Sequence, residues 1–137
     1  MKENLHLQNY PLAEKQPEHL RTPSGLSFQE ITLQAALEGK IKMADLRVTA
    51  EALEIQAKLA ETAGRPQLAG NFRRAAELAG IPEDRIMAIY NALRPGRASQ
   101  VELLRLAESL ENEYQAPRCA KLLREAADAY FRVRALF

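Results

Sequence analysis

Apolar residues recur at helical spacing through most of this chain. Leu68, Phe72, Ala75, Ala76 and Ala79 follow i, i+4, i+7, i+8, i+11, and Ile86, Ile89, Tyr90 and Leu93 follow i, i+3, i+4, i+7. Leu103, Leu106, Ala107, Leu110 and Tyr114 make a third stripe; Cys119, Leu123, Ala126, Ala127, Tyr130 and Val133 make a fourth. Each stripe places its apolar residues on one face of a helix.

The punctuation between stripes agrees. Thr32 suits the N-cap of a short helix, Leu33 to Glu38, stopped by Gly39, and Thr49 that of a helix from Ala50 to Ala63, ended by Gly64. Pro66 opens a helix to Ala79 that stops at Gly80, and Pro82 opens the next in the same first-turn position, running to about Leu93 before Pro95-Gly96 breaks it. Ser99 and Glu102 have capping-box spacing for a helix through Asn112, and Pro117 opens the last, which runs almost to Phe137. The connections are short, so successive helices should be spatial neighbours. The expectation is an all-α, compact multi-helix domain over residues 32–137.

Residues 1–31 differ. They hold Pro11, Pro17 and Pro23 and both histidines, His6 and His19. Proline lacks an N–H and pushes its predecessor towards extended geometry, so a long helix is not expected. Leu5, Leu7, Tyr10, Leu12, Leu20 and Phe28 are nevertheless too apolar for a solvated linker. An extended arm lying on its own domain or on a partner is expected.

Composition sharpens the helical reading. Ala contributes 23 residues and Leu 20, against 13 for Val, Ile and Thr together. Helix formers thus far outnumber the β-branched residues that suit strands. Nineteen Lys+Arg against eighteen Asp+Glu leave a net charge of +1, too balanced for a dedicated nucleic-acid or anionic-membrane binder. The single cysteine, Cys119, excludes an internal disulfide framework and fits a reducing compartment. No uncharged apolar run has membrane-spanning length, and Met1-Lys2-Glu3-Asn4 lacks a signal-peptide pattern. These features predict a soluble, intracellular chain.

Catalytic chemistry is thinly supplied. A zinc site needs clustered Cys and His, and the helical body has Cys119 alone, on an apolar stripe where it suits a small core residue. No phosphate-cradling glycine loop is present. Cobalamin-binding folds that donate a histidine to cobalt need an Asp-x-His-x-x-Gly stretch, which neither His6 nor His19 has. The carboxylates alternate with cations, as in Glu102/Arg105 and Lys121/Glu125, the pattern of solvated helix faces. Arginine crowds the middle of the chain, and Asn91-Ala92-Leu93-Arg94-Pro95-Gly96-Arg97, a helix end breaking into a turn, suits a docking corner. Tyr90 beside it fits either the core or an interface. These features describe a subunit or adaptor without a catalytic kit.

Several runs carry a family likeness: Tyr10-Pro11-Leu12-Ala13, Pro17-Glu18-His19, Thr22-Pro23-Ser24-Gly25 and Glu30-Ile31-Thr32-Leu33. Further on come Asn71-Phe72-Arg73-Arg74-Ala75-Ala76-Glu77-Leu78, Ile81-Pro82-Glu83-Asp84-Arg85-Ile86, Ile89-Tyr90-Asn91-Ala92-Leu93-Arg94-Pro95 and Glu102-Leu103-Leu104. Through these the chain resembles the small (gamma) subunit of adenosylcobalamin-dependent glycerol and 1,2-diol dehydratases from about Tyr10 onward. The resemblance implies a partner large subunit with a TIM barrel that holds substrate. It also implies a medium subunit, with adenosylcobalamin between medium and large, and two heterotrimers paired as a hexamer. The reaction implied is radical dehydration of glycerol to 3-hydroxypropionaldehyde or of 1,2-propanediol to propionaldehyde, a lyase activity. This chain would supply no catalytic residue, cofactor ligand or metal ligand and would bind neither nucleic acid nor membrane. Its role would be to brace the large subunit, with Tyr10, Pro11, Pro23, Tyr90, Asn91, Arg94 and Arg97 as the expected interface residues.

Three departures accompany the likeness. Gly96 stands where the family usually has an aromatic residue, and the basic tail is cut short at Ala135-Leu136-Phe137. Only nine residues precede Tyr10, where encapsulated diol dehydratases often carry a longer extension. That leans towards a cytoplasmic glycerol-type enzyme over a microcompartment one, the substrate being set in the large subunit. The alternative function is a stand-alone helical adaptor or nucleic-acid-binding regulator.

Overall fold

The computed structural model describes residues 7–134, which contain seven α-helices and no β-strand. They are α1 (Leu12–Lys15), α2 (Leu33–Leu37), α3 (Ala50–Thr62), α4 (Pro66–Leu78), α5 (Glu83–Ala92), α6 (Gln100–Asn112) and α7 (Pro117–Arg134). Single 3₁₀ turns at Leu7–Asn9, Pro17–His19, Phe28–Glu30 and Met43–Leu46 punctuate the chain before α3. The all-α expectation holds. The last expected residues, Ala135-Leu136-Phe137, lie outside the described residues, as does His6.

The local signals account for most helix ends. The Thr32 hydroxyl accepts the Ala35 N–H at 3.1 Å, and Thr49 accepts that of Ala52 at 3.2 Å. At the end of α3 the Arg65 N–H reaches the Ala60 carbonyl and the Gly64 N–H reaches that of Glu61, with Gly64 at φ +70°. That pair of bonds needs a left-handed residue, which glycine supplies without a Cβ clash. Ser99 and Glu102 form the expected reciprocal box. Pro82 corrects one expectation. Its ψ of 142° puts it just outside α5 as the N-cap, so Glu83 is the first helical residue.

The chain divides into two compact units, Met1–Ala76 and Glu77–Phe137. In the first, α3 and α4 pack through small residues: Ala57, Ala60 and Ala69 are buried, with Phe72 against them. Arg73 on α4 forks onto Glu61 of α3 at 2.5 and 2.8 Å, and its guanidinium lies 3.7 Å from Glu54. This paired fork holds the Glu61 carboxyl below its ordinary range. The stripe expected on α4 is met in part: Ala76 is buried and Phe72 packs on the cluster, but Leu68 and Ala79 are exposed and Ala69, outside that stripe, is buried instead.

The second unit has the larger core. Leu103, Leu110 and Leu123 are fully buried, and Leu110 and Leu123 cluster with Ile81, Ala107, Ala116, Cys119 and Ala120. Ile86 and Ile89 of α5, with Leu93 at its C-cap, pack onto this cluster. Cys119 is buried in it, as its stripe position implies. Glu77 closes the start of α7: its Oε2 accepts the Cys119 N–H at 2.8 Å and its Oε1 the Arg118 N–H at 3.1 Å. Two amides without intrahelical partners are thereby satisfied by a carboxylate placed where the helix dipole favours it.

Candidate protein-docking surfaces

In the first unit, exposed apolar side chains concentrate between Phe28 and Val48. Leu33 is 79% exposed, Leu37 76% and Met43 81%, and Ile31, Leu46 and Val48 are also exposed. α2 is five residues long and carries Leu33 and Leu37 one turn apart, on the same side. The residues around them form turns held by several local hydrogen bonds. The Asp45 carboxylate is buried and accepts the Lys42 N–H at 2.8 Å. The neighbouring Ser24 hydroxyl and that amide hold its carboxyl below the ordinary value. Glu30 accepts the Ser27 N–H and hydroxyl at 2.7 and 2.6 Å, and Glu38 pairs with Lys40 at 2.6 Å. Behind this stretch Leu20, Phe28, Ile31 and Val48 line a cavity of about 270 Å³.

Three residues expected at an interface lie in the same unit. Tyr10 is exposed and borders a groove of about 470 Å³ with Leu59, Leu68 and Phe72. Pro11 follows through a cis peptide bond and caps α1, its carbonyl accepting from Glu14 and Lys15. Pro23 is exposed in the turn closed by the Gly25 N–H to the Thr22 carbonyl at 2.9 Å. Proline's fixed φ favours the second place of such a turn.

The other four belong to the second unit, where α5 ends. Asn91, Arg94 and Arg97 line one groove of about 720 Å³, together with Glu102, Arg105 and Leu106. Tyr90 is not among the lining residues and is 58% exposed, which settles its place outside the core. Ile86, Ile89 and Leu93 already fill the side of this ten-residue helix that faces the core. The turn is held from both ends. The Tyr130 hydroxyl on α7 donates to the Leu93 carbonyl at 2.5 Å, and Gly96 adopts φ +75°. Ser99 donates its N–H and hydroxyl to Glu102 Oε2, each at 2.7 Å. These bonds, with the Arg105 charge nearby, hold the Glu102 carboxyl below its ordinary value.

The apolar run from Leu33 to Val48 escaped sequence reading. Its residues look like any core set, and only the shortness of α2 and the turns after it could have signalled that no long helix receives them. Among the described residues no three His, Cys, Asp or Glu side chains gather as a metal site. No helix among them is long and apolar enough to cross a membrane. His19 Nε2 lies 3.9 Å from Glu18 in a single turn.

Comparison with known proteins gives a consistent result. A family model described as dehydratase small subunit matches residues 5–136. The chain is 49% identical over 124 residues to the propanediol dehydratase small subunit of Salmonella typhimurium, spanning 90% of this chain and 72% of that protein. It is likewise 49% identical over 122 residues to the propanediol dehydratase small subunit of Citrobacter freundii, spanning 89% and 71%.

Proposed function

The chain belongs to the dehydratase small-subunit family, and from that premise we propose that it is the non-catalytic small subunit of an adenosylcobalamin-dependent diol or glycerol dehydratase. It packs on the large subunit and stabilises the assembly. The observation that carries this reading is the exposed run Leu33, Leu37, Met43, Leu46 and Val48. Exposed apolar side chains concentrated in one segment favour an interaction site. Burying one such side chain contributes roughly 1.5–3 kcal/mol before the cost of association is subtracted.

In this assembly the radical chemistry belongs to the cobalamin held by the partner subunits. His19 is framed by Glu18 and Leu20 without the Asp-x-His-x-x-Gly stretch, so the residues of this chain do not fit a cobalt-ligand role. No step of the reaction is routed through them. Tyr10, Pro11, Pro23, Tyr90, Asn91, Arg94 and Arg97 remain the interface set, now joined by the 31–48 stretch. The hexamer of two heterotrimers and a cytoplasmic location follow from the same reading.

The test is reconstitution. The purified chain alone should form no aldehyde from glycerol or 1,2-propanediol and should bind no cobalamin in a spectroscopic titration. Co-expressed with the large and medium subunits it should co-purify with them and raise the yield and thermal stability of the active complex. Larger subunits equally active and sturdy without it would refute the proposal.

A further inference from the structure

The groove at the end of α5 has an unbalanced charge. Arg94, Arg97 and Arg105 line it, and Glu102 is the carboxylate among the lining residues. Glu102 is already committed, with one oxygen bonded twice to Ser99. The side chains of Arg94 and Arg97 make no hydrogen bond or ion pair with any other described residue. Both are exposed. Three fixed positive charges, two of them without a side-chain partner among the described residues, thus face one groove.

We infer that this groove docks an acidic segment of the large dehydratase subunit, its carboxylates received by Arg94, Arg97 and Arg105. The inference rests on the function proposed above and supplies the chemistry of one contact. Guanidinium groups pair carboxylates through two parallel N–H···O bonds, so each arginine offers a directional site as well as a charge. Ala92, Ala98 and Leu106 give the groove an apolar floor suited to the methylene stems of Asp and Glu. The backbone is fixed before binding by the Tyr130 bond to Leu93 and the left-handed Gly96, which lowers the ordering cost of association. A polyanion that presents bases would want rings to stack on, and no aromatic residue lines this groove. An acidic polypeptide fits better than nucleic acid.

The experiment measures binding of the full chain to the large subunit at low and high salt. Arg94→Glu with Arg97→Glu should weaken binding about a hundredfold or more at low salt, because like charges would then meet across the interface. Arg94→Lys with Arg97→Lys should lose roughly tenfold, keeping charge but not the fork. A control of equal charge change, Lys58→Glu with Lys121→Glu, should stay within about twofold. Wild-type binding should fall with salt, and that of the reversed pair should not. Unchanged helicity and melting of the free variants would show the fold intact.

Reversed and wild-type chains binding the large subunit equally would overturn this inference and leave the proposed function standing. Failure of the wild-type chain to bind the large subunit at all would overturn both. In a separate titration the isolated chain should take up an octaglutamate peptide through Arg94 and Arg97. Preference for a single-stranded oligonucleotide there would also overturn the assignment.

Discussion

Glu77 does more for the second unit than its place in a charged helix suggests. Its side chain is only 9% accessible, and the carboxylate receives two backbone N–H groups at the start of α7 as well as Arg118 Nη1 at 3.4 Å. Glu77→Ala should cost about 2–3 kcal/mol in chemical denaturation, since two amides lose an ionised acceptor. Glu77→Gln should retain part of that. Asp45 gives a pH test. Its folded pKa lies below the ordinary 3.8, so its stabilising contribution is complete above that value and is lost as pH falls through the folded pKa. Amide protection factors in the 22–46 segment should fall in acid, and Asp45→Asn should show that lower protection already at neutral pH with little further acid response. Neither residue was legible in the sequence. Glu77 and Arg118 are far apart along the chain, and Asp45 looks like any polar residue of a turn. The Thr32, Thr49 and Ser99 caps were legible because donor and acceptor sit within three residues of each other.

Elements read from sequence fared best where one strong period governed them. On α6 and α7 the stripe residues Leu103, Ala107, Leu110, Cys119, Leu123 and Ala127 are buried, Leu106 is half-buried, and only Val133 near the end of α7 is exposed. α4 misled in part: Ala76 is buried as its stripe requires, but only the neighbouring helix decides that Ala69 is buried and Leu68 exposed. On α5, spacing put Tyr90 in the stripe, but a short helix needs only three residues to meet the core. Tyr90→Ala should therefore change the melting of the free chain by no more than about 0.5 kcal/mol. The same change should weaken co-purification with the large subunit. The junction of α5 and α6 offers a contrasting pair. Ser99→Ala should cost about 1 kcal/mol through its cap, and Tyr130→Phe about 0.5–1.5 kcal/mol through the Leu93 carbonyl. Both should show in the thermal unfolding of the isolated chain.

At the level of the whole molecule, the interior and the uncovered surface respond in opposite ways. Leu110→Ala, within the second core, should destabilise by about 2–5 kcal/mol in denaturant titration. Leu33→Ser with Leu37→Ser should leave folding nearly unchanged, improve the solubility of the free chain and lower its recovery with the larger subunits. A stabilised rather than weakened complex would contradict the docking role given to α2. Periodicity revealed which segments are helical; which apolar residues remain uncovered depends on how the turns between Phe28 and Val48 close, and that has no period.

The uncovered leucines and methionine around α2 also bear on supply. A free copy shows to solvent apolar side chains of the kind that favour self-association and proteolysis, so an unassembled excess is expected to be short-lived. Expression of the chain without its proposed partners should therefore give a lower steady-state level than co-expression, read by quantitative blotting.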